Sequence, residues 1–470
     1  MKATNPLTGE RDYEFAAATP TDVAQHAERL RAMQPEWEAR GAEGRAAILG
    51  RFADALADGA EPIVAALAAD TGRRHIARLE LDTTIAGLRG KAARAQALAA
   101  ELEWEAKPSA TPGIEIASAW SAYPLFGAIA PWNFPLLLAH IDASSALAMG
   151  CAALIKPSEV TPRFVEPLAR VAASVPELPL AYVLGGPETG EALVGAVDYV
   201  CFTGSTQTGR KVAEAAARAL IPANLELGGK DPMIVTAGAD PEWAARIALR
   251  ASVVATGQAC QSIERIYVAR EIAEPFIVAL VAEAKRVRPV DEAGSGHIGP
   301  FIFPPQADKV RRQIDDAVAG GARLLTGGEM EQRGGGAFMR PAVLVDVTPG
   351  MAVMREETFG PVLPVTVFDT LEEAIALAND SAYGLSAAVL AGSLEEAEAV
   401  GARLEAGAVS LQDGALTSMV GDATNHSLKG SGLGPSRMGD EGMLRFLRRK
   451  ALIRRTGEAP TMDAFAEGGG

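Results

Sequence analysis

Between residues 21 and 100, apolar positions recur three and four apart in a background of Ala, Leu, Arg and Glu, a spacing that predicts several amphipathic helices. From 112 to about 130 the pattern changes to alternation, as a strand requires. Onward to about 228, short apolar runs (Ala152–Ile155, Ala181–Leu184 and Tyr199–Phe202) alternate with helical segments, predicting βαβ units and a mostly parallel sheet. A second alternating region starts near Pro232–Val235. Asp240-Pro241 caps and opens a helix expected to reach about Ala255. Thr370 to Glu373 and Ser393 to Glu396 read as capping boxes. The glycines from Gly327 to Gly336 predict a surface turn, and Gly468-Gly469-Gly470 a disordered end.

With 470 residues the chain exceeds what one core serves, so two or more domains are expected. Hydrophobic residues are 48% and charged ones 22%, a globular mix. Three cysteines argue against a disulfide framework and for a reducing compartment. The first residues lack an apolar signal core, and no apolar run reaches the roughly 18 residues of a membrane span. A cytoplasmic protein is the expectation. A net charge of −15 disfavours nucleic acid and anionic membranes as partners. The basic run from Arg445 to Lys450, followed by Arg454-Arg455, reads as a solvated helix face entering a strand, or as a subunit contact.

Cys151 and Cys201 lie in strand-like apolar runs and read as compact core residues. Cys260 lies in Thr256-Gly257-Gln258-Ala259-Cys260-Gln261-Ser262, a small, polar, exposed-looking segment after a helix, where free N–H groups would favour a thiolate. Pro131-Trp132-Asn133-Phe134-Pro135 is a rigid turn presenting one amide. Lys156-Pro157-Ser158-Glu159 ends a strand with a cation and a carboxylate, suited to sugar hydroxyls. The turn from Phe202 through Gly204 and Ser205 to Gly209 opens a helix whose bare N–H groups favour phosphate. In Glu226-Leu227-Gly228-Gly229-Lys230 a partly desolvated carboxylate suits a general base. Singly, each also reads as ordinary punctuation or ion pairing. Gly432-Leu433-Gly434 lacks the third glycine of a dinucleotide fingerprint. No metal ligand set is assigned.

Together these motifs resemble the NAD(P)-dependent aldehyde dehydrogenase superfamily, from Asn5–Glu10 to Lys429–Gly434. The interval from Glu226 to Cys260, Arg265 after the cysteine, Glu357-Thr358-Phe359-Gly360-Pro361, and Asn379 to Gly384-Leu385 all match. The resemblance implies Cys260 as nucleophile, Asn133 with the Cys260 N–H as oxyanion donors, and Glu226 as activator of water. Losing one such donor typically costs about 3–4 kcal/mol of barrier. It further implies that Trp132 and Ser205, beside Gly204, flank the pyrophosphate. Lys156 and Glu159, beside Ser158, would take the adenine ribose, Glu357 the nicotinamide ribose, and Phe359 the ring's flank. A carboxylate at 159 favours NAD, with NADP kept open by Lys156.

The implied fold is α/β, with two open α/β domains and a small β oligomerisation element. Residues 1–104 and 123–228 form a Rossmann-type dinucleotide-binding domain and 229–428 the catalytic domain. Residues 105–122 and 446–456 form the element that joins a homodimer or homotetramer. The implied substrate is a small aldehyde, oxidised to the acid. Acyl transfer to coenzyme A, a catalytically silent homologue and a non-redox thiol hydrolase are the alternatives. Two departures stand out. Asp142 occupies the family's usual lysine position, beside Ile141 in place of an aromatic, and suggests an altered proton relay or substrate polarity. Gln412-Asp413-Gly414 and Thr424-Asn425-His426-Ser427 replace the usual substrate-mouth loops, with His426 read as a surface residue.

Overall fold

The computed structural model describes residues 1–102, 105–291 and 294–467. Helices Pro20–Ala39, Gly41–Asp58, Ala60–Thr71 and Arg74–Glu101 fill the first part of the chain. Phe52, Leu56, Leu67 and Leu88 from these helices pack on one face of a six-stranded sheet. Its order is Gly432–Leu433, Ala223–Glu226, Tyr199–Thr203, Leu125–Ile129, Ala152–Lys156, Leu180–Tyr182. All pairs are parallel except that of the edge strand Gly432–Leu433.

Both faces of this sheet are covered, which is why its strands read as unbroken apolar runs. Phe126, Ala153 and Ile155 face the helical layer, while Leu125, Leu154 and Val200 face a cluster with Leu193 and Val212. From the central strand Leu125–Ile129 the chain first moves outward to Ala152–Lys156, then returns on the other side at Tyr199–Thr203. The strand order reverses there, so a crevice opens beyond the carboxyl ends of those neighbours.

A seven-stranded sheet follows, in the order Arg323–Thr326, Ala342–Val345, Val362–Phe368, Ile263–Ala269, Asp231–Val235, Ser386–Leu390, Ala408–Leu411. Only its first strand is antiparallel. Lys107–Pro108, Ile114–Ala122 and Leu447–Arg455 form a separate antiparallel sheet, the long pair running in register from Ala122–Leu447 to Ile114–Arg455. Among the described residues no helix is long and apolar enough to cross a membrane.

Local expectations meet mixed outcomes. Asp240 caps its helix through the Trp243 N–H, but the helix ends at Val253, short of Ala255. Thr370 and Ser393 cap as read, yet the reciprocal carboxylates of Glu373 and Glu396 accept from Asp369 and Gly392, one residue earlier than a capping box specifies. The glycines near 330 are not a simple surface turn. They close a hairpin of Met330–Arg333 and Gly336–Met339 that packs on the first residues, where a Cβ on Gly335 would stand 1.9 Å from the Thr8 carbonyl oxygen. Gly468 to Gly470 and the 103–104 boundary lie outside the described residues.

Arg445 is not solvated. It is buried and bonds Asp142, which also takes Nε and Nη2 of Arg437. Burial alone would raise the Asp142 pKa, but the two guanidinium groups hold it below the usual aspartate range. This triad ties helix Pro135–Met149 to the segment leading into the last long strand. Leaving two buried arginines without their anion costs about 3–5 kcal/mol. Asp142→Ala is therefore expected to lower unfolding free energy by about that amount in urea titrations, while Asp369→Ala, at an exposed ion pair, leaves it nearly unchanged.

Candidate active site

After Val253 the chain turns through three successive left-handed residues, Ala255, Thr256 and Gly257, at φ 58°, 63° and 66°. For the two non-glycine residues this costs roughly 1–2 kcal/mol each, offset by buried hydrogen bonds. The Thr256 hydroxyl donates to the Gly299 carbonyl at 3.0 Å. The Gln258 amide donates to the Pro300 carbonyl at 3.1 Å and accepts from the Ile302 N–H at 3.0 Å. At position 257 only glycine fits, since a Cβ would stand 2.4 Å from the Gly360 oxygen.

The turn delivers Cys260 to the wall of a cleft of about 770 Å³. Most of the segment is buried, and Cys260 itself is half-buried, contrary to its exposed look in sequence. Burial first, then the nearby Asp231, Glu226 and Glu357 carboxylates, push the Cys260 thiol up to about 12; Arg437 pulls the other way. The expected lowering by N–H groups does not outweigh desolvation here. Cys151 and Cys201 are buried in the core as read.

Asn133 and Glu226 line the same cleft. The Asn133 side-chain amide reaches across to the cysteine loop, donating to the Gln258 carbonyl at 3.1 Å. Arg73, fully buried, donates to the backbone carbonyls of both Asn133 and Ala255, bracing the two loops together. Glu226 ends its strand and accepts at Oε2 from the Ser427 hydroxyl, 2.7 Å away. The glycines after it have steric reasons. A Cβ on Gly228 would meet the Glu357 carboxylate at 2.6 Å, and one on Gly229 the Cys260 carbonyl oxygen at 2.8 Å.

Glu357 accepts from the Gly229 N–H at 3.3 Å. Burial and the neighbouring Glu264 push its carboxyl up to about 7. Glu264 receives the Thr358 and Phe359 N–H groups, each at 2.7 Å, and the Lys230 ammonium at 2.8 Å. Phe359, held at φ 55°, sets its ring edge-on to Trp132 with centroids 5.3 Å apart.

The cleft continues over the amino end of helix Thr206–Ala219, which Ser205 caps through the Thr208 N–H, with Gly204 beside it. At its far end the Lys156 ammonium is held by Glu159 at 3.2 Å and by the carbonyls of Gly185 and Pro157. A long groove with a paired carboxylate at one end, a helix amino terminus in the middle and Glu357 near the thiol fits an extended dinucleotide in shape and chemistry.

Other expectations part company with the geometry. Ser158 is not among the cleft-lining residues; its hydroxyl accepts from the Val160 N–H. Neither Asp142 nor the 412–427 stretch lines the cleft, so Asp142 is turned to Arg437 and Arg445 rather than to the cavity. Asp413 pairs with Arg250, and His426 with Glu441 at the surface. Arg265 is structural, donating to the carbonyls of Lys230, Leu377 and Ala378. Sequence reasoning missed Leu138, Phe303 and Gln306 on the wall, and Ser427 behind Glu226. Only Phe303 left a signal, as the apolar residue before the helix-opening Pro304-Pro305.

Comparison with known proteins agrees. The chain is 37% identical over 454 residues, 95% of this chain and 87% of the other, to the provisionally named succinate-semialdehyde dehydrogenase [NADP(+)] of Mycolicibacterium smegmatis. The structure of PutA, a provisionally named aldehyde dehydrogenase from Anabaena variabilis, superposes with TM-score 0.95 at 46% identity, covering 98% of both chains. Betaine aldehyde dehydrogenase from Staphylococcus aureus, solved with NAD+, gives 0.90 at 30%, covering 98% and 92%. The profile of the aldehyde dehydrogenase family matches residues 1–452, and the chain belongs to that family as an enzyme that oxidises aldehydes with NAD(P).

Proposed function

We propose that the chain converts an aldehyde to its carboxylic acid by covalent catalysis at Cys260, with NAD preferred over NADP. The observation that carries this reading is the convergence of Cys260, Asn133 and Glu226 on one cleft with the Lys156–Glu159 pair at its far end. Trp132, Lys156, Glu159, Gly204, Ser205, Glu357 and Phe359, which all line the cleft, are assigned to the dinucleotide. Lys156 is already surrounded by three acceptors. It therefore has little charge to spare for a 2′-phosphate that Glu159 repels.

Once deprotonated, Sγ of Cys260 bonds to the aldehyde carbon, and the carbonyl oxygen takes the negative charge. The Asn133 amide and the Cys260 N–H donate to that oxygen. Bound NAD(P) supplies the acceptor for the hydride released by the thiohemiacetal carbon. The resulting thioester is hydrolysed when water gives a proton to Glu226 and its oxygen joins the acyl carbon. The C–S bond breaks, Sγ leaves as thiolate, and the acid departs. Transfer to coenzyme A is disfavoured because Glu226 faces the same cleft as the thioester.

The same reading divides the chain into a dinucleotide-binding domain (1–104 and 123–228), a catalytic domain (229–428) and a joining element (105–122 and 446–456). The cytoplasmic protein works as a homodimer or homotetramer. Exposed Ile116, Leu452 and Ile453 on the three-stranded sheet support an assembly that covers them.

Steady-state NAD reduction over aliphatic, aromatic, acidic and amino aldehydes tests the reaction. Cys260→Ala is expected to abolish turnover while still quenching tryptophan fluorescence on NAD binding; unchanged oxidation would remove Cys260 from the chemistry. Glu226→Gln should keep a stoichiometric NADH burst and slow steady turnover by about 10²-fold or more. A lost burst would place the carboxylate before hydride transfer. Because the thiol is pushed up to about 12, iodoacetamide labelling of Cys260 without cofactor should rise about tenfold per pH unit from pH 7 to 10. A plateau near neutrality would contradict that protonation state.

A further inference from the structure

The carboxylate assigned to activate water does not stand alone. Its Oε2 accepts from the Ser427 hydroxyl at 2.7 Å, and among the described residues Oε1 has no protein donor. Glu226 lines the cleft with Cys260. One oxygen is therefore tethered and the other left to take a proton.

The tether is built rather than incidental. Ser427 begins a strap, residues 427–433, that is bonded repeatedly to the stretch carrying Glu226. Gly432 pairs with Glu226 and Leu433 with Leu225 in the sheet. The Leu227 N–H donates to the Ser431 carbonyl at 2.8 Å, and the Ser431 hydroxyl to the Gly228 carbonyl at 2.7 Å. The strap folds tightly on itself, since a Cβ on Gly432 would stand 2.5 Å from the Ser427 Cβ. From outside, the Lys429 ammonium fixes it to the Asn379 carbonyl at 2.7 Å and to Glu405 at 2.6 Å. The donor and acceptor are therefore carried on two backbone segments that cannot shift independently. Such preorganisation holds a general base in line with its water.

We propose that Ser427 is a positioning residue for thioester hydrolysis: its hydroxyl holds Glu226 Oε2 so that Oε1 faces the acyl group on Cys260. The proposal rests on the reading of Glu226 as the water-activating base. It assigns Ser427 no part in forming the acyl-enzyme.

p-Nitrophenyl acetate tests this without knowledge of the natural aldehyde. Cys260 Sγ attacks the ester carbonyl, p-nitrophenolate leaves, and acetyl-Cys260 remains to be hydrolysed by water. Acid quenching and intact-mass measurement then give the acetyl-enzyme lifetime, with Cys260→Ala as the blank for other acetylated groups. Ser427→Ala is expected to leave the acetylation rate unchanged and lengthen the lifetime about ten- to hundredfold, the scale of one hydrogen bond to a charged group. Ser427→Thr should restore it. Normal acetylation reports an intact nucleophile site, so a folding defect in the alanine variant would show as lost acetylation. In that case a threonine variant with normal acetylation but a lifetime at least about tenfold longer than wild type would overturn the proposal; where the alanine variant acetylates normally, a wild-type lifetime in it would do the same. A wild-type lifetime in Glu226→Gln would instead overturn the base assignment, and so separates the two failures.

Discussion

The geometry of the cleft depends on one buried carboxylate, Glu264. It sits at the start of strand Ile263–Ala269 and receives two consecutive backbone N–H groups from Thr358 and Phe359 together with the Lys230 ammonium. Three segments distant in sequence therefore meet at one anion. One follows the Glu226 glycines, one follows Cys260, and one carries Glu357 and Phe359. Charge-assisted bonds of this kind are strong where water is excluded. They also offset the left-handed backbone of Phe359. That anchor, with the Lys230 bond to the Thr358 hydroxyl and the Gln306 bond to the Thr358 carbonyl, holds the segments whose close approach demands Gly228 and Gly229.

Asp142, Arg437 and Arg445 act similarly on the other side. Two guanidinium groups on one carboxylate leave a net positive charge in the interior, and Arg437 carries it toward the cleft by also donating to the Thr203 hydroxyl at 2.8 Å. Thr203 lies on the cleft wall and is the register partner of Glu226. Asp142 is thus held by arginines from the far end of the chain and takes no place on the cavity lining.

Much of the fold was legible because both sheets are buried on two faces, which writes their strands as apolar runs separated by helices of clear period. Cys260, Asn133 and Glu226, which the structure brings to one cleft, were legible as candidates through their motifs, and Gly228, Gly229 and Gly257 in those motifs answer local steric demands. The rest was not, for physical reasons. The end of helix Pro241–Val253 is set by the tertiary bonds of Thr256 and Gln258, which local propensity does not encode. Arg445 reads as one more charge in a basic run until its long-range partner is known. Ser427 gives no sign in sequence that its hydroxyl will meet a carboxylate 201 positions away.

The protonated sulfur has a protective corollary. Peroxide and foreign disulfides react with thiolates far more readily than with thiols. A thiol kept neutral by its desolvated surroundings offers such oxidants little. The environment that makes Cys260 a reluctant anion thus also shields it from conversion to a sulfenic acid, which no neighbouring cysteine is placed to capture as a disulfide, since the other two are sealed in the core.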